Sequence, residues 1–197
     1  MQKIGIIILA AGASTRMNGE PKQLLEFEGK TLLRRAAETA LSSGASPIVI
    51  VLGANAEKLL PAIKDLPVLP VINENWATGM GGSIKTGLSV LLEENTDIEA
   101  ALLMLCDQPF VTAETLNRLV ETFQKTKKPI AVCEYADTIG VPALFAREMF
   151  AELSDLQGDA GAKTVIKKHA ADVAPTPAPE AAFDVDTQAD FQKLLSD

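Results

Sequence analysis

The sequence predicts an α/β fold in which helices cover both faces of a mostly parallel β-sheet. The first observation is that strand-like apolar runs alternate with helical patterns, which is typical of right-handed β–α–β units. The second is that the first run, residues 4–9, is unbroken and rich in β-branched side chains, as strands buried on both faces are. The chain has 197 residues, 47% of them hydrophobic, so we expect a single domain over residues 1–197 with a full core.

Composition narrows the class of protein. The net charge of −8 argues against nucleic acid as a partner. We expect no signal peptide, because the first apolar run is only about eight residues long and lacks a cationic n-region. We expect no membrane helix, because no apolar segment approaches about 20 residues. Cys106 and Cys133 lie in apolar strand-like runs and are interpreted as reduced core thiols of a cytoplasmic protein. The single histidine, His169, counts against a Ser/His/Asp mechanism and against a histidine-based zinc site.

The loop after the first strand carries the first functional signal. Residues 10–12 (Ala-Ala-Gly) are small and let the backbone approach a ligand closely. Arg16 and Lys22 follow within reach, and small residues with two cations after a strand are typical of a phosphate site. The same segment also fits an ordinary turn with two solvated cations.

The next elements extend the alternating pattern. Thr31 is predicted to cap a helix that runs to residue 41, and a strand follows over residues 47–53. Asn55 is predicted to cap a short helix to about residue 64. The third strand, residues 68–72, contains a proline that favours an edge position or a β-bulge. Ligands of such sheets bind at the carboxyl ends of the strands, where the strand order reverses, and the first strand usually flanks that point.

A glycine-rich segment, residues 73–83, leads into the next helix. We expect that helix to start at Ser83, so that Gly79, Gly81 and Gly82 precede it and suit close ligand approach. A flexible connector is the alternative. The segment is not a Walker A loop, because Ile84 stands where the second glycine must be.

A carboxylate ends the fourth predicted strand. Residues 100–106 are apolar, Asp107 follows them, and Thr112 starts a helix. The carboxyl end of a central strand is where ligands bind, which favours Asp107 as a metal ligand. Alternatively, Asp107 caps the turn before Pro109.

The last third of the chain holds further candidates. A fifth strand, residues 129–133, and a return strand flank a segment at residues 140–142 that either brings backbone near a substrate or is only a bend. Asp159 is predicted as the N-cap of a helix. Asp184 and Asp186 would share one face of a strand, or Asp186 would cap the last helix.

These motifs resemble those of a known family along nearly the whole chain. Residues 9–17 with Lys22 resemble the signature of the MobA-like nucleotidyltransferases, and residues 106–109 (Cys-Asp-Gln-Pro) resemble their metal-site motif. Later family motifs are matched in order by residues 140–145, 158–162 and 184–187. The combination points to the molybdenum cofactor branch. The resemblance implies a Rossmann-like fold of the nucleotide-diphospho-sugar transferase type.

Details of the motifs concern the substrates. The Leu-Ala-Ala-Gly form is similar to that of CTP-using molybdopterin cytidylyltransferases, whereas GTP-using enzymes usually show Leu-Ala-Gly-Gly, so Ala11 favours CTP. Asn18 and Gly19 depart from the family pattern, which commonly has a glycine directly after the methionine. Thr138 and Ile139 stand where a cation and a glycine are usual.

The resemblance implies transfer of a nucleoside monophosphate from an NTP to the terminal phosphate of molybdopterin, with release of pyrophosphate. The residue types fit this chemistry, because phosphoryl transfer needs positioning, charge neutralisation and a metal rather than a side-chain nucleophile. Arg16 suits the β- and γ-phosphates and Lys22 the α-phosphate. Asp107 and Asp186 suit Mg²⁺, with Mn²⁺ as a second option.

The predicted site residues fall into three groups. The predicted catalytic residues are Arg16, Lys22 and Asp107. The predicted nucleotide-binding residues are Leu9, Ala10, Ala11, Gly12, Ala13, Arg16, Lys22, Asn73, Gly79 and Ser83. The predicted acceptor-binding residues are Gly140, Pro142, Asp159 and Gly161.

Alternative functions remain open from the sequence. One is a GTP-using molybdopterin guanylyltransferase, and another is a nucleotidyltransferase for a sugar phosphate or an isoprenoid precursor. A non-catalytic nucleotide-binding regulator is an alternative of a different class. The resemblance also leaves open a molybdoenzyme or a chaperone as the partner that receives the product.

Overall fold

The computed structural model describes residues 3–17 and 20–196, so Asn18 and Gly19 lie outside the described residues. The strands are β1 Ile4–Ala10, β2 Glu26–Phe27, β3 Lys30–Thr31, β4 Ile48–Leu52, β5 Leu69–Ile72, β6 Ala100–Leu105, β7 Ile130–Tyr135, β8 Thr138–Ala146 and β9 Val173–Pro177. The α-helices are α1 Leu32–Ser42, α2 Ala56–Leu59, α3 Met80–Glu94, α4 Ala113–Thr126, α5 Phe150–Ser154, α6 Ala162–Lys168 and α7 Gln188–Ser196.

The main sheet has the strand order β5-β4-β1-β6-β8-β7-β9. Neighbouring strands run parallel except at β8, which pairs antiparallel with both β6 and β7. The predicted α/β fold with a mostly parallel sheet is therefore confirmed. Going from β1, the chain adds strands first on one side and then, from β6, on the other. The strand order thus reverses between β1 and β6, and their carboxyl ends meet at one edge.

Two apolar layers cover the sheet. The β-branched side chains of β1 and β4 point alternately into both layers, which explains why these runs are apolar throughout. Helices α1, α2 and α4 pack on one face, and α3, α5 and α6 pack on the other.

The two cysteines lie in this core. The thiols of Cys106 and Cys133 are buried and form no disulfide bond, and burial raises the pKa of each to about 12.

Helix α1 shows how the local sequence specifies an element. The hydroxyl of Thr31 accepts a hydrogen bond from the backbone N–H of Arg34 (3.2 Å), as predicted for an N-cap. Apolar side chains recur along the face that meets the sheet. Gly44 follows the helix with φ of +78°, the left-handed conformation that favours glycine after a helix end.

Two predicted helices have different bounds. Helix α3 begins at Met80 rather than at Ser83, so Gly81 and Gly82 lie in its first turn. A Cβ atom at Gly81 would lie 2.7 Å from the carbonyl oxygen of Leu156, so this turn packs directly on a neighbouring loop. The helix predicted after Asn55 is α-helical only over Ala56–Leu59, continues as a 3₁₀ turn, and receives no side-chain cap from Asn55.

The C-terminal segment differs from both sequence-based alternatives. Residues 183–187 are not a strand. Thr187, not Asp186, caps α7, because its hydroxyl accepts the backbone N–H of Asp190 (3.2 Å) while the Asp190 carboxylate accepts the N–H of Thr187 (2.9 Å). Asp186 is therefore left for other contacts.

A third apolar cluster fastens this segment to the rest of the fold. Its buried members come from the first loop, the β2–β3 hairpin region and the C-terminal segment: Met17, Leu25, Leu32, Val185 and Leu194. It holds Met17 and Val185 in one small core, so the loop after β1 and the segment around Asp186 are packed together.

Among the described residues, none of the helices combines the length and the apolar character that crossing a membrane requires.

Gly87 allows α3 to lie closely on the sheet, and we expect Gly87→Ala to destabilise the fold. A Cβ atom there would lie 2.5 Å from Cγ2 of Ile7 and 3.0 Å from Cγ2 of Val51, both on stiff β-branched side chains. The overlap should outweigh the helix propensity gained, and the expected loss is about 1–3 kcal/mol in urea unfolding. Gly82→Ala is the matched control, because its nearest neighbour would lie at 3.4 Å. Equal unfolding midpoints for Gly87→Ala and the wild type would contradict this packing.

Candidate active site

A cavity of about 600 Å³ opens at the edge where β1 and β6 end. It is lined by most of the residues that the sequence singled out: Leu9, Ala10, Ala11, Gly12, Ala13, Arg16, Lys22, Gly79, Ser83, Asp107, Asp159 and Asp186. These residues come from both ends of the chain, and the sheet topology brings them together. Leu9 and Leu105 are direct partners in the sheet, so the loops that follow β1 and β6 form adjacent walls.

Four of the predicted site residues do not line this cavity. Asn73 lines a second, neighbouring cavity, and its amide donates to the hydroxyl of Ser83 (3.0 Å). Gly140 and Pro142 lie within β8. A Cβ atom at Gly140 would lie 2.6 Å from the Tyr135 hydroxyl oxygen, and one at Gly161 would lie 2.7 Å from the Met80 sulfur. Gly161 therefore allows close packing on Met80, which lines the cavity, and Gly140 allows close packing on Tyr135, which does not.

The loop after β1 offers free backbone donors. Within the described part of the chain, the N–H groups of Gly12 and Ala13 have no hydrogen-bond acceptor. Arg16 is exposed at the cavity and pairs with no carboxylate of a described residue. Free amides beside a cation suit an anion, so this loop has the features of a phosphate-binding loop.

Lys22 lies between two carboxylates on the adjacent wall. Its Nζ donates to Oδ2 of Asp107 and, at 2.7 Å, to Oδ1 of Asp186. Burial acts to lower the pKa of Lys22, but attraction to Asp107 and hydrogen bonds to both carboxylates raise it above its ordinary value. The ammonium is therefore charged throughout the physiological pH range.

The segment that carries Asp186 is held at the site by its backbone. The N–H of Val185 donates to the carbonyl oxygen of Asp107 (2.9 Å), and the Val185 side chain is fully buried in the third apolar cluster. Asp184 and Asp186 thus reach the cavity on either side of an anchored residue. Burial, together with the nearby charges of Asp107 and Asp186, raises the pKa of Asp184 to about 6.

The carboxylates of the cavity include an oxygen atom that suits a divalent cation. Oδ1 of Asp107 is buried and has no hydrogen-bond partner among the described residues. An unpaired buried carboxylate oxygen is costly, and it is a ligand that Mg²⁺ and Mn²⁺ accept. No three acidic, histidine or cysteine side chains of residues 3–17 and 20–196 form a preassembled cage. Mg²⁺ commonly binds one or two carboxylates together with phosphate oxygens, so a preassembled cage is not required.

Asp159 lies at the cavity because its loop packs against the backbone of residues 79–81. The prediction that it caps a helix is wrong. Helix α6 begins at Ala162 after Gly161, and Asp159 precedes both. The N–H of Gly81 donates to the carbonyl oxygen of Gly158 (3.1 Å), and a Cβ atom at Gly79 would overlap the Gly158 carbonyl. Glycines on both sides of this contact therefore place the Asp159 loop on the cavity.

Sequence reasoning missed several residues of the lining: Gln23, Trp76, Met80 and Leu105. Asp184 also lines the cavity, although the sequence had assigned it no ligand role. Trp76 is the one tryptophan of the sequence and stands in the glycine-rich segment, which could have indicated a ligand contact. No sequence pattern distinguishes Gln23 from other polar residues, because its contacts are all to an earlier loop.

Comparisons with known proteins agree with this architecture. Residues 6–173 match the family model of the MobA-like NTP transferase domain. The chain is 33% identical over 168 residues to nicotine blue oxidoreductase of Paenarthrobacter nicotinovorans, across 82% of this chain and 80% of that protein.

Solved structures of other proteins are similar to this chain along nearly its whole length. Rv0371c of Mycobacterium tuberculosis H37Rv is 31% identical, with a TM-score of 0.86 over 100% of this chain and 99% of that one. A second structure of Rv0371c, in complex with manganese, has a TM-score of 0.82, with 99% of each chain covered. Molybdopterin-guanine dinucleotide biosynthesis protein A from Archaeoglobus fulgidus is 16% identical, with a TM-score of 0.72 over 96% of each chain, and shares the fold.

The position of Lys22 predicts how the free protein responds to a divalent cation. Lys22→Met removes the ammonium from between Asp107 and Asp186, so both carboxylates become available and a repelling charge is lost. We expect Mn²⁺, added without nucleotide, to bind about tenfold more tightly or better than to the wild type. Titration calorimetry or the Mn²⁺ paramagnetic resonance signal measures this.

Lys30→Met is the matched control, because Lys30 pairs with Glu38 at an exposed site (2.6 Å) and should leave Mn²⁺ affinity unchanged. Weaker or equal Mn²⁺ binding by Lys22→Met would show that Lys22 does not compete for these carboxylates.

Proposed function

The chain belongs to the MobA-like NTP transferase family, and we propose that it transfers a nucleoside monophosphate from an NTP to a phosphorylated acceptor. An oxygen of the acceptor's terminal phosphate attacks the α-phosphorus, the bond to the β-phosphate breaks, and pyrophosphate leaves. The observation that carries this proposal is the position of Lys22, held between Asp107 and Asp186 beside a loop whose Gly12 and Ala13 amides have no acceptor among the described residues. The backbone donors and the two cations suit a polyphosphate, and the two carboxylates suit the divalent cation that accompanies it.

The proposed roles follow from charge and reach. The N–H groups of Gly12 and Ala13, with Arg16, bind the β- and γ-phosphates. Lys22 binds the α-phosphate, where negative charge increases during attack, so it stabilises the transition state. No side-chain nucleophile is needed, since the acceptor phosphate attacks directly.

Asp107 and Asp186 are the residues that would hold Mg²⁺ or Mn²⁺. The buried, unpaired Oδ1 of Asp107 supports this assignment, and so does the manganese complex of Rv0371c. A divalent cation bound there would neutralise phosphate charge and orient the triphosphate. Asp184 is a neighbouring carboxylate whose charge adds to the attraction.

We infer CTP as the favoured nucleotide. The basis is Ala11, which gives the loop the Leu-Ala-Ala-Gly form of CTP-using relatives. The base would lie against Leu9, Ala10 and Ala11 on one side and against Gly79 and Ser83 on the other, where backbone groups can hydrogen-bond its edge.

The proposed acceptor is molybdopterin, which the family branch suggests. Asp159 faces the cavity and is the acceptor candidate that the geometry supports best, whereas Gly140, Pro142 and Gly161 would act through packing. A GTP-dependent reaction, or a sugar-phosphate or isoprenoid-precursor acceptor, would use the same phosphate machinery. A molybdoenzyme or a chaperone is the proposed recipient of the product.

A second candidate function comes from one relative. The 33% identity to a nicotine blue oxidoreductase favours a redox reaction of a small organic molecule in the same cavity. The two candidates differ in what they release: nucleotidyl transfer produces pyrophosphate, and a redox reaction produces none. A non-catalytic regulator would bind an NTP and release nothing.

We expect Asp107→Ala to abolish turnover and Lys22→Ala to reduce it by on the order of 10²-fold or more, because both act where charge develops. The measurement is pyrophosphate release with CTP, Mg²⁺ and molybdopterin. Asp97→Ala is the control, since Asp97 pairs with Lys3 on the surface (2.8 Å) and should retain full activity. Near wild-type release by Asp107→Ala would refute the metal assignment, and a change of Lys22→Ala confined to nucleotide affinity would limit Lys22 to ground-state binding.

The nucleotide preference is tested by thermal shift with CTP, GTP, ATP and UTP in the presence of Mg²⁺. We expect CTP to raise the melting temperature most, because a ligand that binds only the folded state stabilises it by mass action. Ala11→Gly should narrow the difference between CTP and GTP. A larger shift with GTP would favour the guanylyltransferase alternative, and no shift with any NTP would favour the redox candidate.

A further inference from the structure

Gln23 is a polar side chain buried beneath the loop after β1. It is 1% exposed and comes from the 3₁₀ turn Lys22–Leu24. Its Nε2 donates to the carbonyl oxygens of Ala10 (3.1 Å) and Gly12 (2.9 Å), and its Oε1 accepts from the Ser14 hydroxyl (3.0 Å). All three hydrogen bonds of this carboxamide are thus made to one short loop.

These bonds set the direction of the loop's peptide groups. In a trans peptide the C=O and N–H groups point to opposite sides. Because the Gly12 carbonyl points at Gln23, the N–H of Ala13 in the same peptide points away from it. That N–H has no acceptor within the described part of the chain. Gln23 therefore holds a carbonyl oxygen, which would repel a phosphate, on the side opposite to a free donor.

Ser14 connects the loop to Lys22. Its φ is +55°, a left-handed conformation that a serine adopts only with support from its surroundings. Its hydroxyl donates to Gln23 and also accepts the backbone N–H of Lys22 (3.0 Å). Gln23 and Ser14 together link the free amides of one wall to the backbone of the cation on the other.

We propose that Gln23 is a positioning residue that keeps the loop 10–14 in its phosphate-accepting form and in register with Lys22. The inference rests on the proposed function, since the ligand in question is the polyphosphate of an NTP or released pyrophosphate. Gln23 itself does not bind the ligand. Its effect reaches the phosphates through the peptides of Gly12 and Ala13 and through Ser14.

The test compares two probes, inorganic pyrophosphate and the nucleoside cytidine, each with Mg²⁺. In Gln23→Met, which keeps the side-chain length but loses both donors and the acceptor, we expect the Kd for pyrophosphate to rise about tenfold or more. The Kd for cytidine, measured by ligand-observed NMR, should rise several-fold less than that for pyrophosphate. Of the proposed base wall Gln23 contacts only the Ala10 carbonyl, and Leu9, Gly79 and Ser83 form no hydrogen bond with it. Gln192→Met, at an exposed position of α7, is the matched control and should change neither value.

A double-mutant cycle with Ser14→Ala tests the linkage. If both side chains act through one loop conformation, the double variant should bind pyrophosphate no more weakly than the worse single variant. Should Gln23→Met fail to fold, Ser14→Ala alone decides, and unchanged pyrophosphate affinity in it overturns the inference.

The remaining outcomes separate this inference from the proposed function. Equal pyrophosphate affinity in the wild type and Gln23→Met overturns the positioning role while the proposed function stands. A parallel loss of cytidine and pyrophosphate binding also overturns it, since that result indicates general collapse of the cavity. A wild-type protein that binds neither pyrophosphate nor CTP overturns both.

Discussion

The contact on which the site depends is the ammonium of Lys22 between the carboxylates of Asp107 and Asp186. It joins positions that are 85 and 164 residues apart in the chain. The side chains of Lys22 and Asp107 are only 17% and 11% exposed, so separating them would leave a poorly hydrated charge on each. Removal of either partner from such a pair costs more than the pair itself contributes to stability. The three segments that build the cavity are therefore held together by charge as well as by apolar packing.

The fold supplies the geometry that this contact needs. The reversal of strand order between β1 and β6 leaves a space at the carboxyl edge of the sheet, and the loops after both strands open into it. The C-terminal segment has no strand to place it. It is positioned by the hydrogen bond from Val185 to Asp107 and by the third apolar cluster, which also contains Met17 from the first loop. One small core thus orients both walls.

The sequence was sufficient for the features that depend on local pattern and on general rules of sheet architecture. The buried runs of β1 and β4, the cap at Thr31 and the placement of Asp107 at a strand end all follow from such rules. The predictions that were wrong or missing share a cause. At those positions the local sequence allows more than one structure, and a tertiary contact determines which one forms. Asp159 has the local environment of an N-cap, but the crossing of Gly79 and Gly158 moves it to the cavity. Gln23 reads as an ordinary polar residue until the loop that it supports is seen.

Charge in the cavity constrains what can enter it. Among the described lining residues, the carboxylates of Asp107, Asp159, Asp184 and Asp186 outnumber the cations of Arg16 and Lys22. A free nucleoside triphosphate is strongly anionic and would be repelled by this excess, while the unpaired oxygen of Asp107 remains unsatisfied.

A nucleotide whose charge is reduced by a bound divalent cation meets both conditions, because the carboxylates then attract it and Asp107 gains a partner. The Lys22 ammonium has three donors, and Asp107 and Asp186 accept two of them. In the proposed reaction, a divalent cation bound by these carboxylates would replace part of their contact with Lys22 and leave the ammonium freer to bind the α-phosphate.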